Sequence, residues 1–313
     1  MEQLAKFIRE GSEFAVISHI SPDGDTMGCA AALLYGIEKL GKKGQWFCEG
    51  GIPENMLEIE EIADLTKRPR LENIDSVISV DTVSFERMGS CADVFKRISH
   101  TAQIDHHKTN DYFAQINYVE ECSACCFLVY KLLLELNVEI DDKIARSLFV
   151  GISTDTGRLA HTDVTPEDVL LTSELYRYNI RQEDTTDILF RDSPIKNLKM
   201  KGRAMQHMET ALDGKVAYTY LDKEDFEELE ADSTHSEGVI ELVRSVKGAK
   251  IAFFMRQIGN AYKISIRSGA EYDVSQICEK FGGGGHKQAA GCIIEGSLWN
   301  VVMTLIKEIE AII

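Results

Sequence analysis

No run of about 18 apolar residues occurs anywhere in the 313-residue chain. The greasiest segment, Cys125 to Leu136, is interrupted by Lys131 and Glu135, which excludes a bilayer-spanning helix. The opening MEQLAKFIREGSEFAV lacks the basic-then-apolar layout of a secretory leader. Positive charge is scarce: 34 Lys and Arg face 51 Asp and Glu, a net charge of −17. Long duplexes and anionic membranes are thereby disfavoured as partners unless basic residues are locally concentrated. Eight cysteines at irregular positions read as reduced thiols rather than a disulfide framework, and the expected compartment is the cytoplasm. No G-x-x-x-x-G-K-[ST] string is present, and Phe281-Gly-Gly-Gly-Gly-His286-Lys287-Gln288 fails G-x-G-x-x-G, which disfavours P-loop and hydride-transfer chemistry.

What is present suffices for a large core. With 44% hydrophobic residues, a chain of this length is expected to form about two domains. Its first half alternates apolar, β-rich runs (Phe14–His19, Gln45–Cys48, Val77–Asp81, Thr101–Asp105) with helical patterns (Cys29–Leu40, Ala124–Leu136). The spacing predicts an α/β fold with a doubly wound, mostly parallel sheet. Pro166 to Gln206 reads as helical, and the texture after Asp213-Gly214 as a smaller α/β domain with a hairpin at Gly259-Asn260. The expected boundaries are a catalytic domain over 1–186, a helical linker over 187–213 and a substrate-binding domain over 214–313.

Metal-capable residues stand at the expected strand ends: His19-x-x-x-Asp23-x-Asp25, Asp81, Asp105-His106-His107, and Asp155 in Gly-Ile-Ser-Thr-Asp-Thr-Gly. Any one of these alone is a common turn or helix cap. Gathering so many carboxylates without cations is prohibitive, whereas divalent metal offsets the repulsion. Imidazole with carboxylate, and no cysteine, suits Mn²⁺, with Mg²⁺ or Co²⁺ also accommodated. About six ligands exceed the needs of one open catalytic ion, and a two-metal site about 3.5–4 Å across needs a bridging carboxylate. Asp81, alone at its strand end, is the candidate bridge.

The C-terminal third is the more anion-friendly part. Between Val246 and Gly291, seven Lys or Arg face three acids. The tetraglycine lets a backbone approach a ligand closely and offer it amides. Arg267, with Lys263 and Ser265 on one face of an alternating strand, has the reach to clamp a phosphate. Cys122-x-x-Cys125-Cys126 reads as core or capping thiols. His100, His161, His207 and His235 remain unassigned, and Asp222 to Asp232 reads as a solvated helix face.

These motifs resemble the DHH phosphoesterase superfamily, named for the string at Asp105-His106-His107, and the resemblance covers nearly the whole chain. It is strongest to the branch that hydrolyses short oligoribonucleotides and 3′-phosphoadenosine 5′-phosphate. The resemblance implies His19 and Asp23 on one metal, Asp25, His106 and Asp155 on the other, and Asp81 between them. It implies that His107 faces the scissile phosphate, with Asp105 orienting the pair. From the second domain, Arg267, Ser268, Gly284, Gly285 and His286 would hold the nucleotide. The implied partners are short single-stranded RNA, dinucleotides and 3′-phosphoadenosine 5′-phosphate, with no membrane or long duplex, and a homodimer is left open. The alternatives are a phosphodiesterase for cyclic di-AMP or linear pApA, and a nucleotide-binding regulator without catalysis. One departure is Leu159-Ala160-His161, where many relatives carry an aromatic residue.

Overall fold

Apolar side chains that point both ways along a strand require cover on two faces. The computed structural model, which describes residues 1–160, 164–191 and 194–313, supplies that cover. Phe14, Val16, Ile78, Val80, Ala102 and Ile104 enter one large core. Ala15, Ile17 and Val77 enter a smaller one on the opposite face. Chain contacts divide the protein into two compact units, Met1–Asp192 and Ser193–Ile313.

The first unit begins with α1 (Glu2–Glu10), β1 (Glu13–Ile17), α2 (Gly24–Lys39), β2 (Lys43–Phe47), α3 (Glu60–Ala63) and β3 (Ser76–Val80). It continues through α4 (Ala92–Arg97), β4 (His100–Asp105), β5 (Ile116–Val119), α5 (Cys125–Glu135), α6 (Asp142–Asp155), α7 (Pro166–Leu175) and α8 (Gln182–Phe190). Its five strands are all parallel, in the order β2-β1-β3-β4-β5. The doubly wound parallel sheet expected from the sequence is therefore observed. Elements without a counterpart in that reading are the short helices α3 and α4, α1, which buries Leu4, Phe7 and Ile8, and β5, a short, half-exposed edge strand.

Helix α2 starts five residues earlier than its apolar pattern suggests. Asp23 caps it, accepting the Thr26 amide at 3.0 Å, so Asp25 lies in its first turn. One expectation is corrected. Asp155 does not end a strand; it is the last residue of α6. The run Ile144 to Ile152 is buried all round, and such a run carries no periodicity that separates helix from strand. Helix α6 is fixed by Arg146, which is fully enclosed and bonds Glu61 of α3 at 2.9 Å and Thr185 of α8 at 2.9 Å.

The second unit contains α9 (Ile195–Gln206), β6 (Glu209–Ala211), β7 (Val216–Leu221), α10 (Lys223–Glu228), α11 (Val239–Arg244), β8 (Ile251–Ile258) and β9 (Ala261–Ser268). It closes with α12 (Ser275–Glu279), β10 (Gly284–His286), β11 (Ala289–Glu295) and α13 (Leu298–Glu310). The sheet order is β10-β11-β9-β8-β7-β6, antiparallel except for β7 with β8. Gly259-Asn260 forms the expected two-residue hairpin link between β8 and β9. Helix α9 buries Met200 and Ala204 in this unit's second core.

Helices α2 and α6 cross with their backbones in contact. A Cβ on Gly28 would meet the Ser147 carbonyl and the Gly151 amide inside 3.0 Å. Gly28→Ala must push the helices apart, and with them Asp25 and Asp155. The expected cost is about 1–3 kcal/mol, read as a lower denaturation midpoint for the first unit; an unchanged midpoint would show the crossing to be slack.

Candidate metal centre

In a parallel sheet the open crevice lies beyond the carboxyl ends of the strands. His19 follows β1 by two residues, Asp81 follows β3 directly, and Asp105 ends β4, with His106 and His107 next in the chain. Asp81 has φ of +50°, a left-handed conformation rare for a residue other than Gly, Asn or Asp and costly to hold, about 1–3 kcal/mol. Its reversal of direction carries the carboxylate into the crevice between β1 and β4. The Thr26 hydroxyl from α2 donates to Asp81 Oδ2.

These residues converge. Donor atoms of His19, Asp23 and Asp81 lie within 4.8 Å of one another, and so do those of Asp25, His106 and Asp155; Asp81, His106 and His107 form a third such group. Asp81 Oδ2 is 3.7 Å from His19 Nε2, and its Oδ1 is 3.4 Å from His106 Nε2. His106 Nε2 is also 3.4 Å from Asp155 Oδ2. Asp25 is buried and accepts the amides of Cys125 at 2.6 Å and Cys126 at 3.0 Å. The first turn of α5 therefore holds that carboxylate with amides. The Cys125 and Cys126 thiols are buried, as expected, but the service to the site comes from their backbones. A fourth group, the buried set of Asp25 with Cys29 and Cys126, shares Asp25 with the second.

The electrostatics are those of a site short of positive charge. Burial, then Asp81, pushes the Asp25 carboxyl up to about 6. Burial, then Asp25, pushes Asp155 up to about 9. Burial would lower His106, but the Asp81 carboxylate beside it and the charge of Asp25 outweigh it and raise the ring to about 11. Burial would likewise raise Asp81, but His106 and His19 hold it below the ordinary carboxylate range. Among the described residues no Lys or Arg pairs with Asp23, Asp25 or Asp81. Only protons or added cations can balance such a set.

The residues fit divalent metal on further grounds. Asp81 Oδ1 is buried with no hydrogen-bond partner, a cost of about 1–3 kcal/mol that ligation removes. His106 Nδ1 lies 2.8 Å from the Cys122 carbonyl. As donor to that oxygen the neutral ring would turn its Nε2 lone pair toward Asp81 and Asp155, the second-layer arrangement common to metal-bound histidines. Sequence reasoning missed three contributors, Thr26, Cys122 through its carbonyl, and Asn110; polar side chains and backbone groups acting singly leave no spacing pattern.

In the second unit, β11 aligns Ala289 with Arg267, and β10 aligns Gly284 with Gly291. Arg267 borders a recess of about 380 Å³ with Arg244, Lys250 and Tyr272, and its Nε is 3.5 Å from Glu241. Ser268 is buried, its hydroxyl donating to the Tyr272 carbonyl at 3.0 Å. The tetraglycine is not a loose loop. A Cβ on Gly283 or Gly285 would collide with β11 backbone, whereas Gly284 faces open space. His161 lies outside the described residues, as does the side chain of His286.

Fold and cluster together define a two-unit α/β protein whose converging donors have the types and spacing to hold metal ions. Comparison with known proteins narrows that class. Residues 13–152 match the N-terminal domain of the DHH family and residues 213–313 the DHHA1 domain. The chain belongs to the DHH phosphoesterase family. A Thermus thermophilus protein named bifunctional oligoribonuclease and PAP phosphatase NrnA is 28% identical over 288 residues, 90% of this chain and 84% of the relative. A Mycoplasma genitalium protein of the same name is 26% identical over 312 residues, 96% of this chain and 95% of the relative. The crystal structure of an exopolyphosphatase-related protein from Bacteroides fragilis shares the fold with a TM-score of 0.87. It is 22% identical, over 99% of this chain and 95% of that one.

Because cations relieve repulsion only in the folded centre, Mn²⁺ added after chelator treatment is expected to raise the melting temperature by several degrees. The gain at a hundredfold excess over Kd is about 2.7 kcal/mol. Asp25→Asn should reduce it. A melting temperature indifferent to EDTA and Mn²⁺ would contradict a metal centre.

Proposed function

We propose that this chain is a two-cation phosphoesterase that releases 5′-mononucleotides from short oligoribonucleotides and converts 3′-phosphoadenosine 5′-phosphate to AMP. The observation that carries the reading is the pair of donor sets, His19/Asp23 and Asp25/His106/Asp155, on either side of Asp81. The names borne by full-length relatives indicate the substrates. Reduced cysteines throughout, and no described helix long and apolar enough to cross a membrane, suit a cytoplasmic enzyme.

In this reading His19 and Asp23 would hold one cation and Asp25, His106 and Asp155 the other, with Asp81 available to both. Mn²⁺ is the expected occupant, with Mg²⁺ or Co²⁺ as substitutes. When bound, the pair supplies charge neutralisation at the phosphoryl oxygens and a more acidic water. The chain's own residues do the rest. The α5 amides keep Asp25 aimed inward. The Cys122 carbonyl keeps the His106 ring turned toward Asp81 and Asp155. His107, whose Nδ1 lies 2.9 Å from Asp105 Oδ1, faces the scissile phosphate and gives a proton to the leaving oxygen. Arg267 and the amides around Gly284 and Gly285 hold the nucleotide, His286 with them, and Ser268 shapes the turn beside Arg267. An acidic protein with a small basic recess grips few phosphates, which favours substrates of a few nucleotides.

The test is purified protein with Mn²⁺ against 3′-phosphoadenosine 5′-phosphate, pApA, cyclic di-AMP, pyrophosphate and an oligoribonucleotide ladder. Turnover is expected for the first two and for the shortest oligomers. Bound nucleotide without turnover would reject the enzyme reading, and preference for cyclic di-AMP would reject the substrate. Asp81→Asn should abolish turnover while the protein stays folded. Arg267→Ala should chiefly raise KM, and a fall in kcat alone would count against nucleotide anchoring.

A further inference from the structure

Asn110 follows the Asp105-His106-His107 string by three residues and is buried, as are Gln103 and Asp105 on the same face of β4. Its amide has one orientation open to it. The side-chain oxygen accepts the Tyr112 backbone N–H at 2.7 Å and the Gln103 Nε2 at 2.7 Å. A backbone N–H can only donate, so this edge of the amide must be the oxygen. The amide nitrogen then points at Asp105 Oδ2, 2.6 Å away, and reaches the Thr82 carbonyl at 3.4 Å.

Asp105 thereby receives donors on both oxygens. Oδ2 takes Asn110 Nδ2 and, at 3.3 Å, the His107 amide; Oδ1 takes His107 Nδ1. With Oδ2 occupied, rotation of the carboxylate about Cβ–Cγ is restrained, and its other oxygen is held toward His107 Nδ1. The nitrogen of a histidine that carries the fixed proton is set by such a partner.

We propose that Asn110, backed by Gln103, is a positioning residue for His107. The relay Gln103–Asn110–Asp105 fixes the plane of the His107 ring and keeps Nδ1 as the donor to Asp105, so that Nε2 is the edge presented to the reaction. Neither Asn110 nor Gln103 belongs to the proposed cation ligands. Their effect runs through ring orientation rather than metal capture. The catalytic consequence rests on the proposed phosphoester hydrolysis; the orientation of the ring does not.

The test uses the full chain with Mn²⁺, bis(p-nitrophenyl) phosphate as substrate, and ¹⁵N-histidine labelling. In the wild type the His107 Nδ1–H should give a slowly exchanging proton signal. In Asn110→Ala that signal should be lost to exchange, and kcat should fall roughly 10–100-fold with KM and Mn²⁺ affinity near wild type. Asn110→Asp keeps the volume but sets a carboxylate against Asp105, and the same losses are expected. Gln103→Leu, which spares the Asn110–Asp105 bond, should show an intermediate loss and covers the case in which both Asn110 variants fail to fold. A retained Nδ1–H signal with wild-type kcat would overturn the proposal. So would losses that follow Mn²⁺ affinity and melting temperature together, which would mark a merely structural role. An inactive wild type whose Nδ1–H signal still depends on Asn110 would reject the hydrolysis and leave the relay standing.

Discussion

Four carboxylates at one end of one sheet repel one another, and the first unit is arranged around that repulsion. Each Asp of the centre is brought there by a different device. A helix cap delivers Asp23, the first turn of α2 delivers Asp25, a left-handed residue delivers Asp81, and the end of α6 delivers Asp155. The devices are rigid because their supports are buried. Gly28 lets α2 and α6 touch, and Arg146 ties α6 to α3 and α8. The fold thus keeps together charges that would separate if they were carried on loops. A protein maintains such an arrangement only where a ligand of opposite charge recovers the cost.

Neutral dipoles divide the work with the charged groups. Amides of α5 face Asp25, a carbonyl faces His106, a hydroxyl faces Asp81, and an amide side chain faces Asp105. None adds net charge, so none competes with a cation for the carboxylates. Each removes a rotational freedom from one donor. The protein's own dipoles thus fix part of the centre's order, which is what a site needs if binding energy is not to be spent on ordering its ligands.

Much of this could be read in the sequence because it is periodic or clustered. Apolar runs on both faces gave the parallel sheet, and the doublets and triplets of Asp and His at run ends singled out residues whose side chains converge. What escaped has physical reasons. Strand β5 is short and half exposed, so it lacks a hydrophobic pattern. Helix α6 is buried all round, so Asp155 was expected at a strand end and sits at a helix end. The Cys125-Cys126 pair drew notice for its thiols, whereas its amides touch Asp25. Asn110 is a single polar residue whose role depends on contacts with Gln103 and Asp105, and sequence spacing does not report those.

The central claim is that two cations share Asp81. Crystals grown with Mn²⁺ and measured at the manganese absorption edge test it directly. The account predicts two anomalous peaks about 3.5–4 Å apart, one beside His19 and Asp23 and one beside Asp25, His106 and Asp155, with Asp81 touching both. A single peak, or two that do not meet at Asp81, would contradict it.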